Sequence, residues 1–427
     1  MRCLCFLALI VSPTALVWSE NLEVVIDLGE LGSKLQHGVD AKLSLKDWAD
    51  SPQAEDLCQT LFNEEGFTVF RIPIYAMRPV DDPFYDKVVK LARFARKANP
   101  DVILFASVAN GDGDQNNNLH HKHKFPLSMR CGNEDKGCDN GRIYNLDLDV
   151  YAAYLDDFIR MMRERGVSID WIGPWNEDNA SAGDVDYLWK RMNEEDGLVR
   201  VGVETWALQR AIEKVRFLRP NIDLVGSHFY DDEQGRAVPK ELWDQKWQKL
   251  VKVSKKPVWF TEATDYKEAE IDEARFLVKA LERLIVSANA GVEGIIYYQT
   301  VPRIVGYDGK PVLLKHSGLF NFVRKSRDAY RISSTRVKNP NTWLYAHYDE
   351  SKERLGIHIA NSDQLNQTLD LKIQGGRLGK SPKVSRLWDE SRMGEDDSIA
   401  ETSDNSVLLK VPSVSYAYVE LSVVEIQ

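Results

Sequence analysis

The chain has 427 residues, 43% hydrophobic, 10% aromatic with 11 Trp, and 28% charged, with a formal net charge of −10. This composition excludes a disordered chain, and the length suits one barrel of about 250 residues or more with a smaller partner domain. The acidic balance disfavours nucleic acid or an anionic membrane as partner and is indifferent to a neutral substrate.

Arg2 precedes the apolar run Cys3 to Val17, and the small Ser19 stands where a peptidase could cut, so residues 1 to 19 read as an export signal. The expected location is therefore extracytoplasmic, either secreted or periplasmic. No later apolar run is long enough to cross a bilayer, which leaves no membrane partner once the signal is removed. Cys3 and Cys5 go with the signal. Cys131 and Cys138 are close enough in sequence to clip one loop with a disulfide in an oxidising compartment. Cys58, inside the helical pattern 54–62, is expected to be a buried thiol.

Strand-like and helix-like segments alternate along the rest of the chain. Glu23 to Ile26 reads as a short strand and Gly38 to Leu43 as the first barrel strand. A helical run over 57–62 leads to the second, Thr68 to Tyr75, then helix 84–97 to the third, Asp101 to Asn110. The polar insertion 111–145 has no periodicity, and a loop of that length is usually functional or disordered. Helix 151–165 leads to Ile169-Asp170-Trp171-Ile172-Gly173-Pro174-Trp175-Asn176-Glu177. Strands follow at 198–204, 222–230, around Trp259 and at 292–300, separated by helices 207–218, 243–253 and 268–288.

Eight strands alternating with helices predict a (β/α)8 TIM barrel over residues 36–325. After residue 325 short alternating runs (355–360, 369–373, 413–419) with turn residues between them predict an antiparallel β-sandwich. Residues 20–35 are expected to join 326–427 in that side domain.

Two strands deliver a glutamate at their C-terminal ends, Glu177 and Glu262, where the loops of a parallel barrel assemble chemistry. Two carboxylates about 5 to 5.5 Å apart would cleave a glycosidic bond with retention, Glu262 as nucleophile and Glu177 as acid/base. Arg71 is a charge inside an apolar strand and needs a carboxylate partner across the mouth, which would keep Glu262 ionised. Asn176 is placed to hydrogen-bond a sugar 2-hydroxyl. His228 and Tyr230 alternate with Phe229 and so share a face near the nucleophile. Asn110, Trp175, Tyr298 and Gln299 complete the expected substrate-binding set, Trp175 as a sugar platform with a packing residue as the alternative, and Tyr298 and Gln299 as pocket lining with a plain strand end as theirs.

The order Arg71-Ile72-Pro73, Trp175-Asn176-Glu177, His228-Phe229-Tyr230 and Trp259-Phe260-Thr261-Glu262 resembles the clan A retaining glycoside hydrolases. The side domain built from both termini makes family 30 the most similar, with families 59 and 39 near it. The resemblance implies a retaining β-glycosidase that needs no cofactor and acts on a polysaccharide or oligosaccharide. The insertion 111–145 and a strand eight ending in Tyr297-Tyr298-Gln299-Thr300, where a tryptophan is often found, depart from the pattern. Both lie at the substrate side.

No metal site is expected. His120, His121 and His123 are adjacent on a loop with Lys122 among them and read as cleft loop or solvated surface. Asp112, Asp114 and Asn116 begin like a calcium loop, but Asn117 and His123 stand where glycine and glutamate are required. The alternative from another class is an inactive carbohydrate-binding protein or adhesin on the same scaffold. The sugar, the linkage, endo or exo action and the oligomeric state are not legible in the sequence.

Overall fold

The computed structural model describes residues 18–42, 44–114, 119, 121–131, 143–193, 197–230, 238–263, 273–396, 399–403 and 405–426. Apart from Trp18 and Ser19, which open the first strand, the predicted export signal lies outside the described residues. The first strand, β1 (Trp18–Lys34), belongs to the side domain. Eight strands then close a barrel: β2 (Gln36–Asp40), β3 (Val69–Ile74), β4 (Ile103–Val108), β5 (Trp171–Gly173), β6 (Val199–Thr205), β7 (Leu224–His228), β8 (Val258–Ala263) and β9 (Gly294–Tyr297). Neighbours pair in parallel in chain order, and β9 returns to β2. All eight predicted barrel strands are present. β3 and β8 are buried along their whole length, as expected of strands covered on both faces.

The inward positions explain how one barrel carries both a core and a site. Val69, Phe105, Val201, Leu224, Trp259 and Ile296 form an apolar plug within the barrel, and Gly294 makes room for it, since a Cβ there would sit 2.3 Å from the Trp259 ring. Side chains along a strand repeat every second residue. Two residues beyond Val69 comes Arg71, beyond Phe105 comes Ser107, and beyond Trp259 comes Thr261. The lining thus turns from apolar to polar towards the strands' C-terminal ends, where a barrel places its chemistry.

Helices cover the outside of the barrel. The helix Ala182–Arg191 between β5 and β6 has no counterpart in the sequence reading, although Ser181 and Asp184 form a reciprocal capping box at its start. The predicted helical run over 57–62 is in the structure a helix Ala54–Gln59 followed by a π-helical turn Thr60–Glu64. Cys58 on it is a buried free thiol, as expected.

The side domain contains β10 (Tyr330–Ser334), β11 (Thr342–Asp349), β12 (Arg354–Asn361), β13 (Asn366–Gln374), β14 (Gly376–Trp388), β15 (Met393–Glu395), β16 (Ala400–Ser403), β17 (Ser406–Val411) and β18 (Ser415–Ile426). With β1 they form one sheet in the order β15-β14-β18-β12-β11-β10-β1-β13-β17-β16. Val24 and Ile26 of β1 share a core with Ile357, Leu371, Leu409 and Val419. The sheet is not wholly antiparallel as predicted: β1 runs antiparallel to β10 and parallel to β13. Alternation reveals a strand but not its direction, and the entire barrel separates β1 from both partners.

Candidate active site

Arg71 is the hub of the barrel mouth. It is fully buried, and its guanidinium reaches the carboxylates of Glu204 (2.6 Å), Glu262 (2.6 Å) and Asp40 (3.3 Å) as well as Asn176 Oδ1 (2.9 Å) and Ser107 Oγ (3.0 Å). Burial works against its charge, and Glu204, Glu262 and Asp40 outweigh that and keep it protonated. Glu204 arrives through a bulge in β6. Val203 and Glu204 have positive φ (73° and 42°), and the pairing with β7 slips between Val203 and Thr205. Gly226 opposite leaves space for the carboxylate, since a Cβ there would lie 2.1 Å from Glu204 Oε1.

Glu262, on β8, is 4% exposed. Lys42 and Arg71 both donate to its Oε1. Its Oε2 faces Tyr230 OH at 3.3 Å and His228 Nδ1 at 3.5 Å. Burial alone would raise its pKa, but the charges of His228, Lys42 and Arg71 prevail and hold the carboxyl far below the usual range. Asp40 differs: burial pushes its carboxyl up against the pull of Lys42 and Arg71.

Glu177 follows β5 in a left-handed conformation (φ 62°) that side chains other than glycine rarely adopt. Such strain collects at functional sites. Its backbone N–H donates to Glu204 O at 2.8 Å. Asn110 Nδ2 donates to Oε2 at 2.7 Å, and His228 Nδ1 lies 3.1 Å from Oε1. Burial raises the Glu177 pKa, the hydrogen bond and charge of His228 lower it, the Glu262 charge raises it, and the net direction is down. A carboxylate oxygen of Glu177, one of Glu262 and a ring nitrogen of His228 all lie within 4.8 Å of one another. A metal ion there would meet Lys42 and Arg71 on the same carboxylate, so the trio is better suited to proton and group transfer than to holding a cation.

Most of the predicted residues come together in this mouth. Asn176 offers its Oδ1 to Arg71 and to Lys42 (3.1 Å), which leaves its NH2 for a sugar hydroxyl. Tyr298 is half-buried near the carboxylates. Burial first, then Glu262 and Asp40, push its hydroxyl well up, so it remains a protonated donor. Gln299 Nε2 donates to Tyr298 OH at 3.2 Å. Trp175 is the exception. Its ring is 3% exposed and packs against Tyr151 at 5.5 Å between centroids, so it belongs to the core and is not the sugar platform the sequence suggested.

The sequence missed Asp40, Lys42, Lys124, Asp178 and Glu204. Lys124 comes from the insertion and is 1% exposed. Its Nζ reaches Asn110 Oδ1 (2.9 Å), Asn176 O (2.7 Å) and Asp178 Oδ2 (2.8 Å). Because Lys124 holds the oxygen of the Asn110 amide, the NH2 is the end that faces Glu177. Tyr144, at the insertion's other end, hydrogen-bonds Asp178. Of the suspected metal loops, Lys122 and His123 are exposed, Asp114 is paired with Lys46, and His120, Asn116 and Asn117 lie outside the described residues.

Lys124→Met is expected to lower kcat by about 10- to 100-fold for substrates with poor leaving groups, the cost of misplacing a catalytic group by roughly 1 Å. Activated aryl glycosides, which depart with little protonation, should lose far less. A series of aryl leaving groups checks this. An equal loss across the series would assign Lys124 to the fold rather than to Glu177.

No protein-family model matches the sequence. Glucuronoxylanase XynC of Bacillus subtilis is 24% identical over 377 residues, which cover 83% of this chain and 80% of that protein. A family 30 endoxylanase from Clostridium papyrosolvens C71 superposes with a TM-score of 0.67 at 17% identity, over 93% of this chain and 99% of that one. The family 30 subfamily 8 xylanase Xyn30A of Clostridium acetobutylicum gives 0.65 at 15% identity, over 94% and 99%. The barrel with its side domain is thus the fold that the resemblance implied, and the likeness to family 30 is borne out.

Proposed function

We propose that this glycoside hydrolase of the family 30 type cleaves β-linked sugar chains with retention, through a covalent intermediate on Glu262. The observation that carries the reading is the carboxylate pair itself. One oxygen of Glu177 and one of Glu262 lie within 4.8 Å of each other, which suits the close carboxyl pair of retaining enzymes, about 5 to 5.5 Å between the two groups. Lys42 and Arg71 occupy Oε1 of Glu262, so Oε2, more loosely held by Tyr230 and His228, is the atom that attacks the anomeric carbon.

Glu177 gives its proton to the leaving oxygen and then takes one from water. Burial and the charge on Glu262 push the Glu177 pKa up, against the hydrogen bond and charge of His228, which prevail. Forming the glycosyl ester removes the Glu262 charge, which favours the ionised form just when a base is needed. Asn176, Asn110, Tyr298 and Gln299 would line the sugar site.

The relatives named as xylanases make a β-linked xylan the first polymer to assay. Proton NMR of the first product is expected to show the β-anomer ahead of mutarotation. The α-anomer first would sink the retaining mechanism. No turnover on any β-linked polymer or aryl β-glycoside would favour the binding protein instead.

The proposed location is outside the cytoplasm, with the barrel over 36–325 and the side domain over 20–35 and 326–427. Cys131, whose backbone N–H closes the base of the insertion on Asn145 O at 2.8 Å, is proposed to form a disulfide. Cys138, outside the described residues, is its proposed partner. Peptide mapping without reductant should recover the two linked, and free thiols in exported protein would count against the bridge.

A further inference from the structure

Lys42 follows β2 and brings an ammonium into a mouth that already has a buried cation in Arg71. It is 3% exposed. An ammonium taken out of water destabilises the fold unless partners hold it, and the backbone of this residue is pinned on both sides. Asp40 Oδ1 accepts from its N–H at 2.8 Å, and the hydroxyl of the fully buried Tyr75 donates to its carbonyl at 2.8 Å. Lys42 is therefore a placed charge and not a solvated one.

That charge is aimed at one carboxylate. Its Nζ donates to Glu262 Oε1 and to Asn176 Oδ1 at 3.1 Å, while Asp40 Oδ2 lies 4.0 Å away. Arg71 also donates to Oε1 but divides its charge among Glu262, Glu204 and Asp40. Both cations sit on Oε1, whereas Oε2 faces Tyr230 and His228. With the sugar carried on Oε2, Oε1 becomes the carbonyl oxygen of the glycosyl ester, and Lys42 lies against it.

Glu262 bears a full negative charge when free, part of one in either transition state and none as the ester. A cation on Oε1 stabilises the free carboxylate most, the transition states less and the ester least, and only such differences change a rate. It holds back formation of the ester and drives its breakdown. In that breakdown water attacks the anomeric carbon, Glu177 takes the water's proton, and the C–O bond to Oε2 breaks with its electron pair returning to Glu262.

We propose that Lys42 sets the balance between the two steps, speeding breakdown of the glycosyl-enzyme and slowing its formation, a role that rests on Glu262 being the nucleophile. The test labels the full-length protein with an aryl β-glycoside fluorinated at the sugar 2-position, the β-xylobioside first and otherwise the sugar that the parent hydrolyses. Such a reagent leaves a slow glycosyl ester, whose formation and loss intact mass follows.

In Lys42→Gln, which keeps a hydrogen-bond donor without the charge, the ester is expected to break down about tenfold more slowly than in the parent and to form as fast or faster, since the transition state feels part of a charge-assisted hydrogen bond. A purely structural role would slow both steps together. Lys42→Met is the second neutral variant should the first fail to fold, and failure of both would assign Lys42 to the fold and overturn the proposal. Breakdown unchanged or faster in the neutral variant, or formation slowed as much as breakdown, would overturn it too. Peptide mapping separates these outcomes from failure of the underlying reading: a parent that carries no ester on Glu262 would sink the nucleophile assignment itself, and this role with it.

Discussion

Glu262→Ala is expected to lose hydrolysis of every β-glycoside, because no leaving group compensates for an absent nucleophile. Glu177→Ala should lose about 10² to 10⁴ in rate on poor leaving groups, the usual span of acid catalysis, and much less in the glycosylation step of an activated aryl glycoside. In that variant the covalent intermediate accumulates, since Glu177 is also the base that activates water. Azide needs no base. It should restore turnover of Glu177→Ala and give a β-glycosyl azide, whereas rescue of Glu262→Ala would come by direct displacement and give the α-azide. Proton NMR of the two azide products distinguishes the roles. The α-azide from Glu177→Ala with the β-azide from Glu262→Ala would reverse the assignment, and unchanged activity in either variant would remove that residue from the site.

The sequence disclosed those parts of the site whose position follows from strand periodicity. Glu177 and Glu262 end apolar runs, and Arg71 is a charge within one, so each stands out where the pattern breaks. Glu204 also lies at a strand end, but it reaches Arg71 only because β6 bulges, and a bulge shifts the alternation by a residue without a sequence mark. Lys42 sits between Ala41 and Leu43 inside the segment read as the first barrel strand, and nothing in that pattern singled it out. Lys124 lies in a segment with no periodicity at all, so nothing local announced that it would be buried under Asn176. Trp175 was misread for the opposite reason: proximity in sequence to the acid does not fix which way a ring points, and here it points to Tyr151.

The fold was legible to the extent that its elements are local. The barrel strands are continuous apolar runs, and Ser181 with Asp184 could have given the missed helix had the capping spacing been applied there. The parallel pairing of β1 with β13 joins Leu22 to Leu369 across most of the chain. Only the closed three-dimensional path determines that direction.

Arg71→Met is expected to destabilise the protein by about 3 to 5 kcal/mol near neutral pH, the usual cost of removing one partner from a buried ion pair. The guanidinium pairs with Asp40, Glu204 and Glu262 together, all of them 4% exposed or less, and Lys42 shares Asp40 and Glu262 with it. In the parent, the depressed pKa of Glu262 contributes stability that is present above its unfolded pKa and is lost as pH falls through the folded value. Without Arg71 burial gains weight, as it already dominates at Asp40, and the Asp40 and Glu262 carboxyls shift upward. A raised folded pKa makes the folded state bind more protons than the unfolded chain, so the variant gains stability as pH falls towards the unfolded carboxylate range of about 4. The two slopes have opposite sign, and the gap between parent and variant should close on acidification. Urea unfolding of both proteins near pH 7 and near pH 5 measures that gap. A gap that stayed constant or widened at the lower pH would mean that Arg71 stabilises the barrel by packing, for instance over the Phe105 ring 5.3 Å away, and not by its charge on Glu262. Arg71→Lys, which keeps one charge but cannot bridge three partners, should fall between the two in stability and raise the acid limb of kcat/KM as Glu262 recovers a more ordinary pKa.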